Sequence, residues 1–248
     1  MALTRLFIHE ELRPGQVVRL DQEQVRYIGR ALRLRPGDAL TVFNGESGEF
    51  EASLTSIDKT TADVTVRAQL ETDAESALKV HLVQGISRGE RMDVIVQKAT
   101  ELGVKRISPV LTDHGVVKLD GKRAGKRREH WQKIANSACE QCGRTRPPLI
   151  DDPVPLKAWF GAKTDATDVD LILRPGATMS MAALEAPQTK VCLLIGPEGG
   201  FSDNEYEDAE VAGFTAVSLG PRILRTETAA IAAVAVVETL WGDLGVSA

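Results

Sequence analysis

The sequence predicts a two-domain α/β protein in which a small, strand-rich domain precedes a larger domain of alternating strands and helices. The N-terminal third contains five short strand-like runs separated by turn signals such as Pro-Gly and Asn-Gly. A polar segment with few bulky apolar residues follows at 71–77. Beyond it, apolar runs alternate with amphipathic helical patterns, which is typical of a parallel sheet covered by helices on both faces. We therefore place the domains at 1–72 and 73–248.

The strand spacing in the N-terminal domain favours a small β-barrel. The predicted strands are 3–8, 16–20, 39–43, 49–57 and 62–68. Between the second and third strands, Asp21 and Gln24 have the spacing of a helix cap. An apolar stripe of Val25, Ile28 and Leu32 predicts that this helix packs on the barrel core.

Arginine side chains follow another face of this predicted helix. Arg26, Arg30 and Arg33 fall at positions i, i+4 and i+7, and Arg35 comes next. No acidic residue lies between Gln24 and Gly37. Because such a face suits the phosphates of an RNA backbone, we expect these four arginines to bind RNA.

In the C-terminal domain, strands and helices are predicted in alternation. The predicted strands are 79–84, 106–111, 169–173, 191–195 and 216–219. The predicted helices are 91–102, which Gly103 ends, a basic helix near 125–142, one from about 203, and 226–241. Ser202 and Glu205 have the spacing of a capping box, and Thr226 is predicted to cap the last helix.

Composition and charge exclude several classes of protein. The longest apolar run, 229–237, is too short to span a bilayer, and the N-terminus does not resemble a secretory signal, so we expect a cytoplasmic protein. The formal net charge is −5, yet residues 76–150 are basic while both flanking regions are acidic. This basic region favours binding to nucleic acid. The Cys139–Cys142 pair and Cys192 lack further ligands at zinc-like spacing, so no metal is expected.

Sequence motifs typical of serine hydrolases and of phosphate-binding nucleotide sites are incomplete or absent. Gly85-Ile-Ser87-Arg-Gly89 matches the G-x-S-x-G pattern of a nucleophilic serine, but no histidine follows His130 to complete a triad. No G-x-G-x-x-G or P-loop sequence is present. A nucleoside cofactor, if bound, is therefore not held through a pyrophosphate.

Two glycine-bearing loops are the most distinctive features. The first follows the strand at 191–195 and reads Gly196-Pro-Glu-Gly-Gly200. The second, 218–225, precedes the alanine-rich last helix and contains Arg222 and Arg225. Both loops lie at the carboxyl ends of predicted parallel strands, where open α/β sheets bind ligands.

Four segments resemble one known family. These segments are Arg91-Met-Asp93 with Gln97-Lys-Ala-Thr-Glu-Leu-Gly-Val104, Glu140-Gln with Arg144, 194–202 and 218–229. They are similar to the RsmE family of ribosomal RNA uridine-N3 methyltransferases, within the SPOUT superfamily. The resemblance covers essentially the whole chain. It implies an N-terminal PUA-like barrel, a C-terminal SPOUT domain with a deep trefoil knot, a homodimer, S-adenosylmethionine as cofactor, and 16S ribosomal RNA of the small subunit as substrate.

The resemblance assigns residues to the cofactor pocket, and the chemistry of N3 methylation suggests roles for others. The expected S-adenosylmethionine pocket is formed by Leu173, Ile195, Gly196, Gly199, Gly200, Leu219, Gly220, Ile223, Leu224 and Thr226. Methylation at uracil N3 requires loss of the N3 proton, so Glu198 is expected to accept it and Arg225 to stabilise the developing charge. Arg144 and Lys98 are expected to hold the uridine or its phosphate, and Arg88 to face the RNA.

Two alternatives stay open at this point. The first alternative to this enzyme is a non-catalytic RNA-binding or ribosome-assembly factor that retains the fold. The second is an enzyme of the same superfamily that modifies another nucleoside or a transfer RNA. Binding of S-adenosylmethionine distinguishes the first, and product analysis distinguishes the second.

Overall fold

The computed structural model describes residues 4–71, 74–117, 121–164 and 166–245. The chain divides into two units, each with its own core. The first unit is Met1–Glu75 with Cys139–Pro147, and the second is Ser76–Ala138 with Pro148–Ala248. A segment that is central in the sequence, Cys139–Pro147, is therefore part of the N-terminal unit.

The first unit contains a five-stranded sheet around an apolar core. Its strands are β1 (Arg5–Phe7), β2 (Val17–Arg19), β3 (Ala39–Phe43), β4 (Glu49–Ile57) and β5 (Ala62–Leu70). The order is β1-β3-β4-β5-β2, with β1 and β3 parallel and the other pairs antiparallel. Leu40, Val42 and Val64 are fully buried in this core. All five predicted strands are present, and β3 and β4 have the predicted bounds.

The first helix begins as the sequence predicts. Helix α1 (Gln22–Arg26) has Asp21 as its N-cap, and a complete capping box joins Asp21 to Gln24. The Gln24 backbone N–H donates to Asp21 Oδ1 at 2.8 Å, and Val25 and Ile28 are buried as expected. The local cap signal and the first part of the apolar stripe are therefore confirmed.

The continuation of this helix departs from the prediction. The chain forms a π-helical turn over Tyr27–Ala31, in which the Leu32 N–H donates to the Tyr27 carbonyl at 3.1 Å. Leu32 is 37% exposed, and Arg33 has a left-handed φ of 56°. The wider turn and the reversal at Arg33 end the 3.6-residue period. The prediction that Leu32 joins the core stripe and that Arg33 shares a helical face with Arg26 is therefore wrong.

The second unit contains a seven-stranded parallel sheet. Its strands are β6 (Lys79–Gly85), β7 (Arg106–Leu111), β8 (Leu149–Ile150), β9 (Val154–Pro155), β10 (Val169–Leu173), β11 (Lys190–Ile195) and β12 (Thr215–Val217). The order is β12-β10-β11-β6-β7-β8, and β9 also pairs with β7. The predicted parallel sheet is confirmed.

Helices cover both faces of this sheet. They are α2 (Arg91–Glu101), α3 (Gly121–Cys142), α4 (Leu156–Ala162), α5 (Asp203–Val211) and α6 (Thr226–Trp241), with a 3-10 turn at Met181–Ala183. Leu82 and Leu193 belong to the core with α2 and α6, whereas Val83 and Leu194 belong to the core with α4 and α5. Because neighbouring strand residues point to opposite faces, each central strand contributes to both cores.

The sequence misses some short elements of this unit. Strands β8 and β9 and helix α4 are absent from the predictions, and α3 begins at Gly121 rather than near residue 125. Gly103 ends α2 as predicted, with φ of 92°. Among the helices of the described residues, none combines the length and the apolar character that a membrane span requires.

Candidate active site

Three loops at the carboxyl ends of neighbouring strands surround one cavity in the second unit. Residues 173–175 form the end of β10 and the start of the loop after it, residues 196–201 follow β11, and residues 218–225 connect β12 to α6. The cavity volume is about 590 Å³. It lies where open parallel sheets bind ligands, because the strand ends diverge there toward different connections.

The cavity brings the predicted site residues together. All ten residues assigned to the cofactor pocket line it, and so do Glu198 and Arg225. The structure adds Arg91, Arg174, Tyr206, Arg222 and Glu227, which the sequence assignment omitted. Ligands bind at the carboxyl ends of parallel strands, and Arg174 follows β10 while Arg91 comes after β6. The same rule that selected the two loops could therefore have selected these two arginines from the sequence.

A buried hydrogen-bond network joins the two glycine-bearing loops. The Thr226 hydroxyl donates to the Gly196 carbonyl at 2.8 Å, and the Gln84 side-chain amide donates to Thr226 Oγ1 at 3.1 Å. Gln84 is fully buried at the end of β6. The predicted cap is wrong, because the N-cap of α6 is Arg225 and the Thr226 hydroxyl bonds instead to the loop after β11.

The loop after β11 lies very close to the end of β6. A Cβ added to Gly85 would overlap Pro197 Cδ and lie 2.6 Å from the Pro197 nitrogen, so only glycine fits here. Gly200 has φ of 68°, which also favours glycine. Ser87 is buried, and its hydroxyl lies 3.5 Å from the Gly85 carbonyl and from Thr226 Oγ1. This hydroxyl supports the loop packing and is not displayed as a nucleophile.

An ion pair crosses one side of the cavity. Arg91 Nη1 lies 2.6 Å from Glu198 Oε1, and Arg91 Nε lies 3.8 Å from Glu227 Oε2. The same Glu198 oxygen accepts the Arg88 backbone N–H at 3.0 Å. Partial burial acts to raise the pKa of Glu198, but backbone N–H donors and Arg91 outweigh it, so the pKa lies below its ordinary value. Glu198 is therefore an ionised acceptor at neutral pH.

In the described part of the chain, the other arginines of the cavity lack such a partner. Arg174, Arg222 and Arg225 are exposed. Within the described residues, no acidic side chain forms an ion pair with any of them. The cavity therefore has an excess of positive charge, which favours an anionic ligand such as RNA.

Arg144 occupies a different setting from the one expected. Its guanidinium is buried in the first unit, and Nη2 lies 2.9 Å from Glu75 Oε2. Arg5 donates to the Arg144 carbonyl at 2.9 Å. Removing one member of such a buried pair leaves the other charge uncompensated, so these contacts give Arg144 a structural role.

The remaining predicted RNA-binding residues lie outside the cavity lining. Arg88 and the arginines 26, 30, 33 and 35 are exposed. Lys98 lies on α2, and its ammonium group is 2.8 Å from Glu101 Oε1. The three cysteines are free thiols. In the described part of the chain, no group of three or more acidic, histidine or cysteine side chains is arranged to hold a metal ion.

Family models match both units of the chain. A model of the RNA methyltransferase domain matches residues 74–238, and a model of the RNA methyltransferase PUA domain matches residues 20–67. The ribosomal RNA small subunit methyltransferase E of Buchnera aphidicola subsp. Schizaphis graminum is 35% identical over 98% of this chain and 98% of its own length. The protein of that name in Bacillus subtilis is 29% identical over 97% of this chain and its whole length.

Solved structures are similar over nearly the whole chain. A methyltransferase from Legionella pneumophila, solved with bound S-adenosylmethionine, has a TM-score of 0.94 and 40% identity. Ribosomal RNA small subunit methyltransferase E from Neisseria gonorrhoeae, bound to S-adenosylmethionine, has a TM-score of 0.91 and 38% identity. Each alignment covers 98% of this chain and 100% of the other.

Proposed function

The chain belongs to the ribosomal RNA small subunit methyltransferase E family, and on that premise we propose that it methylates N3 of a uridine in 16S ribosomal RNA with S-adenosylmethionine. The α/β fold and the separate PUA-like N-terminal domain expected from the sequence are confirmed. The observation that carries the proposal is that both glycine-bearing loops line the same cavity. A non-catalytic RNA-binding factor has no need of such a cavity.

The residues of the cavity suit S-adenosylmethionine. This cofactor supplies an activated methyl group on a sulfonium and carries no phosphate, in agreement with the missing phosphate-binding motifs. Leu173, Ile195 and Leu224 provide apolar surface for an adenine ring, and the glycine turns expose backbone groups to its polar edge. A volume of about 590 Å³ lies within the range of small-molecule sites.

In this proposal Glu198 accepts the proton of uracil N3, and Arg225 stabilises the negative charge that develops on the ring. The low pKa of Glu198 keeps it unprotonated at neutral pH, so its carboxylate is available as the acceptor, although a low pKa also makes it a weak base. Arg225 is exposed at the cavity and places a positive charge where the ring oxygens become negative. Arg91 holds Glu198 in place and limits its basicity, since the pair must loosen when the carboxylate takes up a proton.

RNA binding is assigned to residues 1–72 and to the basic part of the second domain, residues 73–248. Arg26, Arg30, Arg33 and Arg35 remain candidates because all four are exposed. Helix α3 adds exposed cations at Lys122, Lys126 and Arg127 near its start. Arg88 extends the same charge beside the Glu198 loop, whereas Lys98 must leave Glu101 to contact a phosphate.

We further propose that the C-terminal domain contains the deep trefoil knot of its superfamily. The sheet order supports this, because the chain leaves β11, passes beyond β10 to form β12, and then returns so that α6 contacts β11 and α2. Such a return is required for threading, although connections in most folds avoid it.

The same helix supports a homodimer. On α6, Ile231, Ala232 and Ala235 are only partly buried, so an apolar strip of one large and two small residues is available for a second copy of the chain. We propose that two C-terminal domains pair through it. Sedimentation equilibrium tests this: a monomer at micromolar concentration contradicts the dimer and leaves the assignment of the reaction intact.

The decisive experiment uses small ribosomal subunits that lack the modification. Subunits are incubated with the protein and radiolabelled S-adenosylmethionine, and the RNA is digested to nucleosides. Label in 3-methyluridine supports the proposal. Label in another nucleoside assigns a different modification, and binding of RNA without label transfer or cofactor binding indicates a non-catalytic factor.

A further inference from the structure

Arg174 and Tyr206 form a stacked pair on the cavity wall. The Arg174 guanidinium carbon lies 4.6 Å from the centroid of the Tyr206 ring, and both side chains line the cavity. Arg174 directly follows β10, and Tyr206 lies near the start of α5. Neither residue belongs to the site assigned from the sequence.

The surroundings hold both planes in place. The Tyr206 ring packs edge-on against Phe201, with centroids 5.6 Å apart and an interplanar angle of 80°. Phe201 is buried. The backbone of Arg174 is anchored by its N–H, which donates to the Val217 carbonyl at 3.0 Å, and by a turn closed from Ala177. The stack is therefore part of the cavity wall rather than a loose surface contact.

The charge of Arg174 is available to a ligand. Within the described chain, no acidic group forms an ion pair with Arg174, in contrast with Arg91, which contacts Glu198 and Glu227. A guanidinium that rests on an aromatic ring keeps its second face for another flat group. Arg174 is exposed, so this face is accessible.

The chemistry of the substrate matches such a surface. An enzyme that modifies a base edge engaged in pairing must extrude the base from its stack, and extruded bases rest on aromatic rings or guanidinium planes. Uracil that loses its N3 proton carries negative charge over its ring. A cationic plane stacked on the ring therefore stabilises that form more than the neutral base.

We propose that the Arg174–Tyr206 stack is the platform on which the target uracil rests during methylation. This inference rests on the proposed function and adds to it a binding subsite for the base. It separates two roles within one cavity, since the glycine-bearing loops hold the cofactor and the stack holds the pyrimidine.

The test compares R174A, R174K and Y206A in the full-length protein. The measured quantities are the Kd of S-adenosylmethionine by calorimetry, and kcat/KM on unmethylated small ribosomal subunits at saturating cofactor. K157A is the matched control, because Lys157 is exposed on α4 outside the cavity lining. Thermal unfolding of each variant checks that it is folded.

The platform predicts a specific pattern. R174A lowers kcat/KM about 10- to 100-fold, the range expected for loss of one stacking contact, while the Kd of the cofactor changes by less than about 2-fold. R174K recovers little, because it restores charge without a plane. Y206A removes the ring beneath the guanidinium and lowers kcat/KM in the same direction as R174A, again with little change in the Kd of the cofactor, whereas K157A stays close to wild type.

Two results overturn the platform. A rise in the cofactor Kd that parallels the loss of kcat/KM assigns Arg174 to the cofactor, and full activity of R174K or R174A shows that no guanidinium plane is needed. Failure of the proposed function is distinguishable, because wild-type protein then yields no 3-methyluridine. If wild type methylates uridine and R174A matches it, only the platform is wrong.

Discussion

Arg91 Nη1 and Glu198 Oε1 are 2.6 Å apart and join the start of α2 to the loop after β11. The two residues are 107 positions apart in the sequence. Their ion pair lies on the cavity wall, where Glu198 also accepts the Arg88 N–H. The pair therefore controls both the position and the basicity of the carboxylate that we assign to proton transfer.

Exchange of Glu198 for glutamine tests this assignment. E198Q removes the proton acceptor and should lower kcat by about 100-fold or more, with little change in the Kd of S-adenosylmethionine. Arg91 contributes to the lowered pKa of Glu198. R91A should therefore move the acid limb of the kcat profile to higher pH, and E198Q should abolish that limb. Because the pKa of Glu198 lies below its ordinary value, the profile is measured from about pH 3 to 8.

The double variant R91A/E198Q distinguishes a catalytic role of Glu198 from a role in positioning Arg91. If Glu198 only anchors Arg91, then E198Q, R91A and the double variant lose the same activity. An E198Q enzyme that keeps its acid limb and its kcat contradicts proton transfer to Glu198.

Arg225 gives a second prediction about the reaction. Its side chain is exposed at the cavity, and the described residues offer it no acidic partner. R225A should lower kcat by about 100-fold, because a donor aimed at developing charge acts mainly in the transition state. The Kd of the cofactor should change by less than about 3-fold, measured by calorimetry, with K157A as the control for loss of a cation. Unchanged kcat and Kd would show that Arg225 has no catalytic part.

Local signals in the sequence predicted those elements that depend on neighbouring residues. The capping boxes Asp21–Gln24 and Ser202–Glu205 both form, and α6 has the predicted bounds. The π-helical turn after Arg26 was not predictable in this way. Gly29 lies there close to Ile57, which comes from a distant strand, and a Cβ at this position would crowd the Ile57 side chain. Tertiary contacts of this kind override local propensity.

The cavity was predictable in outline but not in its contacts. The rule that ligands bind at strand carboxyl ends selected both glycine-bearing loops correctly as neighbours. The hydrogen bond from Thr226 to Gly196 and the stack of Arg174 on Tyr206 join residues from different strand ends. No local periodicity encodes such pairs. Strands as short as β8 and β9 likewise carry too few residues for a recognisable alternation.

Glu238 predicts an unusual dependence of stability on pH. It is fully buried on α6 and accepts the Ser76 hydroxyl at 2.9 Å. Burial raises its pKa above the ordinary value and outweighs the hydrogen bonds from the Ser76 hydroxyl and the Asp243 backbone N–H, which lower it. The charge of Asp243 adds to the rise, and Lys105 opposes it. The folded state therefore holds this proton more tightly than the unfolded chain. Protonated Glu238 therefore stabilises the folded state fully below the ordinary carboxyl pKa, and this stabilisation is lost as the pH rises through the raised pKa.

Exchange for glutamine should remove this dependence. E238Q mimics the protonated carboxyl, so its free energy of unfolding relative to wild type should increase from pH 4 to 8. The increase is about 1.4 kcal/mol for each pH unit between the ordinary and the raised pKa. Urea unfolding at several pH values measures it, and E207Q, at an exposed position of α5, is the control. A difference that stays constant, or that falls with pH, contradicts the raised pKa.

The salt dependence of RNA binding tests which cations contact phosphate. Each phosphate contact contributes about 0.7 to 0.9 to the slope of log K against log salt, so R26A/R30A/R33A should flatten the slope by about 2. Arg33 alone should contribute least, because its left-handed backbone takes it off the face that Arg26 begins.

K122A/K126A/R127A tests the start of α3 in the same assay, and K157A should leave the slope unchanged. An unaltered slope in the first triple variant removes the α1 region from the RNA surface, and a loss confined to the second triple variant assigns phosphate binding to α3. Filter binding between about 50 and 200 mM salt covers the range in which this term dominates.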